Sequence, residues 1–121
     1  MIIALTPSKQ VSENLHLEIN ISTTLSITAE DAKRKVTRFL MDQVSFLISP
    51  QVPLLIVAGK EAIFWRFPLV LSMAHCGKLG QVGEVDVDAL SGKLLINDEL
   101  IEEIKRNAHR LTASATHPTN N

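Results

Sequence analysis

Two short segments of this chain contain the residues best suited to chemistry. His75 and Cys76 are adjacent, and a cysteine thiolate becomes a nucleophile when a base or a positive charge lies beside it. Adjacent side chains in one loop rarely point at each other, and neither a Cys-x-x-Cys pair nor a third orienting group accompanies them. We therefore expect a loop histidine and an unreactive cysteine, and a small enzyme that uses His75 and Cys76 is an alternative.

The second segment is a row of acids, in which Glu84, Asp86 and Asp88 alternate along one predicted strand. Their spacing of roughly 6.5 to 7 Å could suit a hard cation or an arginine-rich partner. A straight strand, however, cannot bring three carboxylates onto one ion, so we expect a solvated face with cross-strand pairing to Arg66. The histidines show no ligand spacing either, which predicts no catalytic, metal or cofactor site; they are His16, His75, His109 and His117.

The strand that carries Arg66 is apolar on both faces. Its odd positions, from Ile63 to Met73, are all large and apolar and predict the main core stripe, with Trp65 as an anchor. Its even positions are more apolar than a wetted face requires, and they form a candidate interface: Phe64, Arg66, Pro68 and Val70. The preceding strand is too short to pair beyond about Arg66, so we expect an open edge from Pro68 to Met73 that another strand could approach.

The elements that would position these residues follow from periodicity and from capping residues. The alternation of apolar and polar residues over Leu15–Ile21 predicts a half-buried strand. A 3.6-residue period of apolar residues after Thr28 predicts a helix that Pro50 and Pro53 terminate. A meander and a second helix, capped by Asn97 or Asp98, follow. In chain order the elements are a strand at Leu15–Ile21, a helix at about Ala29–Leu47, strands at Leu54–Ala58, Ala62–Met73, Val82–Ala89 and Leu94–Ile96, and a helix whose apolar stripe is Leu100, Ile101, Ile104, Ala108 and Leu111.

The turn before the last strand is the most specific local signal. Leu90, Ser91 and Gly92 form a three-residue connection, and Gly92 falls where a type I turn with a bulge requires positive φ. The sequence therefore predicts an α+β fold: an antiparallel β-meander packed on one face by two helices, with a possible extra N-terminal strand.

Composition limits the organisation and the partners. The 121 residues predict a single domain, with a core at about 15–111 and flexible ends at 1–12 and 112–121. A net charge of −1 and few aromatic residues argue against nucleic-acid binding. One cysteine, no signal-peptide pattern and no apolar run of membrane-spanning length lead us to expect a cytoplasmic protein with no membrane partner.

The segment GEVDVDALSGKLL, from Gly83 to Leu95, resembles the terminal hairpin of PepSY-type domains. In those domains a strand ends in D-A-x-[ST]-G-x-[ILV], and the matching positions here are Asp88, Ala89, Ser91, Gly92 and Leu94. The resemblance covers roughly residues 28–96 and implies a helix with antiparallel strands and a role in protease inhibition or regulation. The string W-R-x-P followed by G-x-V-G-E-V-D-V-D-A is also similar to that of small uncharacterised bacterial proteins, which implies no activity.

These patterns favour a non-catalytic interaction or regulatory module. The even face of the long strand needs a cover, and we expect either the N-terminal strand Leu15–Ile21 or another subunit to supply it. The second case predicts a homodimer or a protein partner. A small-molecule-binding domain with a cystatin-like curved sheet is an alternative, and its sign would be a deep apolar pocket between Trp65 and the first helix.

Overall fold

A computed structural model of the chain describes residues 3–5, 27–59 and 62–116. The elements in these ranges are β1 (Ile3–Leu5), α1 (Ala29–Gln43), β2 (Ile48–Pro50), β3 (Leu54–Val57), β4 (Ile63–Met73), β5 (Gly77–Asp88), β6 (Leu94–Leu95) and α2 (Asp98–Thr116). All strand pairings in these ranges are antiparallel, in the order β1-β3-β4-β5-β6, and β2 pairs with β4. This is the predicted α+β class with a β-meander.

Both helices pack on one face of the sheet, which we call the inner face. The odd residues of β4 from Ile63 to Leu71 are buried there together with Val85 and Val87 of β5, as their spacing predicts. Helix α1 contributes an apolar stripe to this core, and Ile104 is the buried member of the stripe on α2. The α1 stripe consists of Ala32, Val36, Phe39 and Leu40. Within the described ranges, neither helix has the length and apolar character needed to span a bilayer.

Helix α1 begins at the predicted cap and ends earlier than predicted. The Thr28 hydroxyl accepts a hydrogen bond from the Asp31 amide at 3.1 Å, which satisfies one of the free donors of the first turn. The helix ends at Gln43 rather than near Leu47. Val44 leaves the helical backbone region, at φ −129° and ψ −78°, and the chain continues into β2, where the Leu47 carbonyl accepts from the Ser72 amide of β4 at 3.0 Å.

Strand β2 overturns the predicted open edge beyond Pro68. Residues Ile48–Pro50 pair with β4 from Leu69 to Leu71, directly after the stretch that β3 covers. Of the two prolines that were expected only to end the helix, Pro50 is the last residue of β2 and Pro53 directly precedes β3. Pro68 faces the break between β2 and β3, where its carbonyl accepts from the Gln51 amide at 2.8 Å. Its missing N–H therefore interrupts no ladder bond.

Two bulges in β5 create the groove into which α2 packs. The β4–β5 register shifts between Leu69 and Val70 and again between Leu71 and Ser72, so Val82 and Leu79 have no residue opposite them. Both side chains pack on the core instead. At Gly83, which faces inward, an added Cβ would lie 3.1 Å from Ile104 Cγ1. The glycine thus lets α2 approach the sheet, and Asn107 Nδ2 donates to the Val82 carbonyl at 2.9 Å.

The turn between β5 and β6 is built as predicted. Gly92 adopts φ 76°, and its amide donates to the Asp88 carbonyl at 2.8 Å. The Gly92 carbonyl in turn accepts a hydrogen bond from Lys35 Nζ of α1. This contact fastens the turn to the first helix.

The ends of the chain and one loop differ from expectation. Residues Ile3–Leu5, within a segment expected to be flexible, pair with β3 as strand β1. Helix α2 continues through the expected tail to Thr116. Strand β5 begins at Gly77 rather than at the predicted Val82, which shortens the loop that contains His75. The predicted strand Leu15–Ile21 lies outside the described residues.

We predict that Gly92→Val lowers the free energy of unfolding by about 1 kcal/mol or more, because a β-branched residue is strained at positive φ. Gly92→Asn is the matched control, since asparagine is of similar size and tolerates the left-handed region. Thermal melts of both variants measure the difference. Equal losses would show that crowding by Lys35 and Ile27, rather than φ, governs the site.

We also predict that Gly83→Ala destabilises the protein by about 1 to 3 kcal/mol, because its Cβ would overpack against Ile104. Gly59→Ala is the control: Gly59 has a comparable φ of 143° against 158° at Gly83, but no atom lies within 4 Å of its added Cβ. Chemical denaturation of both variants separates close packing from backbone strain. A loss at Gly59 as large as that at Gly83 would contradict the packing explanation.

Candidate functional site

The outer face of the sheet, opposite both helices, carries the candidate interface. The register of β4 places its even residues on this face, with apolar neighbours beside them on β3 and with Leu95 of β6 one strand further away, beyond β5. We call this set the outer apolar strip, and it consists of Leu54, Ile56, Phe64, Pro68, Val70 and Leu95. Three of these residues were predicted, and Leu54, Ile56 and Leu95 were missed because their alignment with Phe64 and Arg66 depends on strand pairing.

The strip is only partly shielded. Ile56, between Ala4 of β1 and Phe64 of β4, is 4% exposed, and it does not belong to the core cluster under the helices. Phe64, Pro68 and Val70 are half-buried, whereas Leu95 at the β6 edge is 43% exposed. The members of the strip on β3 and β4 are adjacent, whereas the polar outward residues of β5 separate Leu95 from them. An apolar surface of this size on a sheet is typical of a face that another layer covers.

Arg66 lies in the middle of the strip and its charge is compensated. Its Nε donates to Asp86 Oδ1 at 2.9 Å and its Nη2 donates to Asp86 Oδ2 at 3.2 Å. The guanidinium carbon lies 5.3 Å from the centre of the Phe64 ring, within the range of a cation–π contact. The hydrogen bonds to Asp86 raise the pKa of Arg66, against the desolvation that lowers it. The predicted proximity of the Arg66 side chain to the acids of the neighbouring strand is confirmed by these hydrogen bonds to Asp86.

The three acids of β5 have three different environments. Asp86 forms the two-bonded pair with Arg66, whereas Glu84 Oε1 lies 3.7 Å from Arg66 Nε and remains half exposed. Asp88 Oδ1 accepts from the amides of Leu90 and Ser91 at 2.8 and 3.0 Å. Asp88 is therefore a turn-capping residue. In the described part of the chain, no three His, Cys, Asp or Glu side chains converge on a metal-sized site.

His75 and Cys76 lie together in the turn between β4 and β5. Both are exposed, and the Cys76 amide donates to the Met73 carbonyl at 3.2 Å. The structure places this turn at the end of the long hairpin, away from Arg66 and its acids. The two groups of candidate residues therefore do not form one site.

Trp65 is fixed in the core under α1. Its side chain is 5% exposed, and its indole Nε1 donates to the Ile27 carbonyl at 3.1 Å. The core side chains of α1 and β4 pack around it. Between Trp65 and α1, where a deep ligand pocket would have supported the small-molecule-binding alternative, the side chains are closely packed.

Lys78 is a polar residue of the outer face that the sequence interpretation missed. It lies opposite Ser72, at the far end of β5 from the acids, and its Nζ lies 3.3 Å from Gln51 Oε1. The two one-residue bulges cancel, so Lys78 faces outward like the even-numbered acids, and it was missed because the strand was expected to begin at Val82 rather than at Gly77. A basic end and an acidic end of one strand thus share the surface that carries the strip.

No family model, curated protein or solved structure matches the chain.

We predict a modest coupling between Arg66 and Asp86, about 1 kcal/mol at most, because the two side chains are 35% and 24% exposed and solvent screens them. A double-mutant cycle with Arg66→Met and Asp86→Asn measures this coupling in the free energy of unfolding. The control is a second cycle on Arg66 and Asp88, whose carboxylate accepts hydrogen bonds within the turn. Its coupling energy should be nearly zero. A coupling of several kcal/mol would instead indicate a buried polar site.

Proposed function

We propose that this protein is a non-catalytic interaction module that associates with a second copy through the outer face of its sheet. The observation that carries the proposal is the outer apolar strip, which lies on the face opposite both helices. His75 and Cys76 lie in the turn at the end of the long hairpin, away from Arg66 and the acids of β5, so these candidate reactive groups are not brought together. The PepSY-like hairpin is in keeping with a regulatory binding role.

The apolar surface of the strip that remains exposed to solvent determines how much free energy its burial can contribute. Fully burying a Phe or Val side chain contributes about 1.5 to 3 kcal/mol at ~25 cal/mol/Å². Members of the strip are already half-buried, so each contributes less, and several must be covered together. A stable interface covers about 800 Å² on each partner, which requires most of this face rather than one residue.

A second copy is the occupant that these features favour. It brings an apolar strip of the same dimensions, and a two-fold interface is closed, so association stops at the dimer. The pairing of Arg66 with Asp86 removes the net charge from the middle of the strip, which reduces the desolvation penalty of covering it. The exposed, unpaired Cys76 fits a reducing compartment such as the cytoplasm.

We predict that sedimentation velocity finds a dimer for the wild type and a monomer for Val70→Lys, because the lysine places a charge in the centre of the covered face. Met41→Lys is the matched control: Met41 is 62% exposed on α1, behind the opposite face of the sheet. This variant should remain dimeric. The His75→Ala and Cys76→Ser variants should also remain dimeric.

A monomeric wild type would overturn the proposal. In that case a lower melting temperature of Val70→Lys would identify a segment of the same chain as the cover. An unchanged melting temperature would leave a different protein as the occupant.

A further inference from the structure

Most of β5 forms an edge of the sheet. Strand β6 pairs with it at Asp86 and Val87, and the chain then turns into α2, which Asn97 caps. Among the described residues, no strand lies beside β5 from Gly77 to Val85. An edge of this length presents backbone groups to which another strand can bind.

The antiparallel ladder indicates which backbone groups point to this edge. The even residues of β4 bond toward the side of β2, where the Ser72 amide donates to the Leu47 carbonyl at 3.0 Å. The Pro68 carbonyl likewise accepts from the Gln51 amide on that side. The residues of β5 opposite these even positions therefore direct their backbone groups away from β4. They are Lys78, Gln81 and Glu84, whose side chains are exposed.

This edge is complementary to itself in charge. A two-fold axis perpendicular to the sheet at Gln81 would pair β5 with β5 of a second copy in antiparallel orientation, and it would place Lys78 opposite Glu84 at both ends. Both charged groups are available. The polar contact of Lys78 is with the neutral amide of Gln51, and the Glu84 carboxylate lies 3.7 Å from Arg66, beyond hydrogen-bond distance.

Helix α2 lies over this edge on the inner face. Ile104 packs against Gly83 and Leu111 packs against Gly80, so the helix follows β5 in the opposite chain direction. An α-helix with its side chains is about 10 Å wide, whereas a further strand would lie only about 4.8 Å from β5. A helix seated on an edge strand therefore overhangs the position of the next strand.

Two copies cannot pair at this edge while both α2 helices keep their positions. The perpendicular axis puts both helices on the same face of the joined sheet, and packed helices need about 8 to 10 Å between their axes. That separation is about twice the spacing of paired strands.

We propose that the free edge of β5 is a pairing surface for a second copy, that α2 keeps it closed, and that Asn107 holds the helix in place. Asn107 Nδ2 donates to the carbonyl of Val82, the unpaired residue of a bulge, at 2.9 Å. This bond joins α2 to the edge strand itself. The inference concerns a different surface from the outer face and does not depend on the association proposed above.

A cysteine at the axis reports the pairing. In a Cys76→Ser background, Gln81→Cys provides the single thiol of the chain. Opposing residues of a hydrogen-bonded antiparallel pair have Cα atoms about 5.5 Å apart, within the range of a disulfide. Adding Asn107→Leu removes the bond to Val82 at similar side-chain volume. Oxidation by air should then link two chains about tenfold faster, because the loss of one hydrogen bond shifts the displacement of α2 by about that factor.

Val36→Ala is the control for a general loss of stability. Val36 is buried on α1, so this change leaves a cavity in the core but keeps Asn107, and linking should stay at the parent rate. Hydrogen exchange provides a readout without the introduced thiol. In Asn107→Leu the amides of Lys78 and Glu84 should gain protection as the protein concentration rises, and in the wild type they should not.

Charge exchange tests the register. In the Asn107→Leu background, Glu84→Lys places like charges opposite each other at both ends of the paired edge, and linking should slow about tenfold. Adding Lys78→Glu restores opposite charges and should recover the faster rate within about threefold.

The outcomes separate this inference from the proposed function. A linking rate that Asn107→Leu leaves unchanged would overturn the role of α2, and a rate that ignores Glu84→Lys would overturn the register. A monomeric wild type would overturn association through the outer face but would agree with a closed edge.

Discussion

The two-residue period of β4 is the constraint on which this structure depends. Large apolar side chains occupy both its odd and its even positions, and one helix-covered face can bury only one set. The odd set, with Trp65 and Phe67 as its largest members, faces α1 and α2. The even set consequently points to the opposite face, and the pairing of Arg66 with Asp86 on that side matches the same register. The core and the outer apolar strip are thus two consequences of one alignment.

Departures from regular pairing explain how α2 fits. The unpaired residues of the two bulges, Val82 and Leu79, add apolar side chains to the inner face of β5. Gly83 and Gly80 lie beside them, and an added Cβ would approach Ile104 and Leu111 to 3.1 and 3.2 Å respectively. A groove backed by glycine and lined by apolar side chains accommodates a helix more closely than a regular strand would. The same bulges determine which polar residues of β5 point outward.

Sequence reasoning succeeded where a pattern was local. The helix after Thr28, the shared face of Arg66 and the acids of β5, and the turn at Gly92 each follow from local patterns, and the structure confirms them. It failed at β2, because a three-residue strand with a proline has no period to detect and forms only through its bonds to β4. Leu95 was missed for a related reason, since its alignment with Asp86 depends on strand pairing. Lys78 was missed because β5 begins at Gly77, before the apolar alternation that predicted the strand from Val82.

The distribution of charge on the outer face bears on specificity more than on affinity. Asp86 already neutralises Arg66, so covering the centre of the face does not isolate a net charge in an apolar interface. Glu84 and Lys78, by contrast, are exposed, where ion pairs contribute little energy but like charges discourage a wrong alignment. The apolar strip alone would tolerate several rotations of one face on another. The positions of the exposed charged groups, rather than the apolar area, therefore distinguish between these rotations.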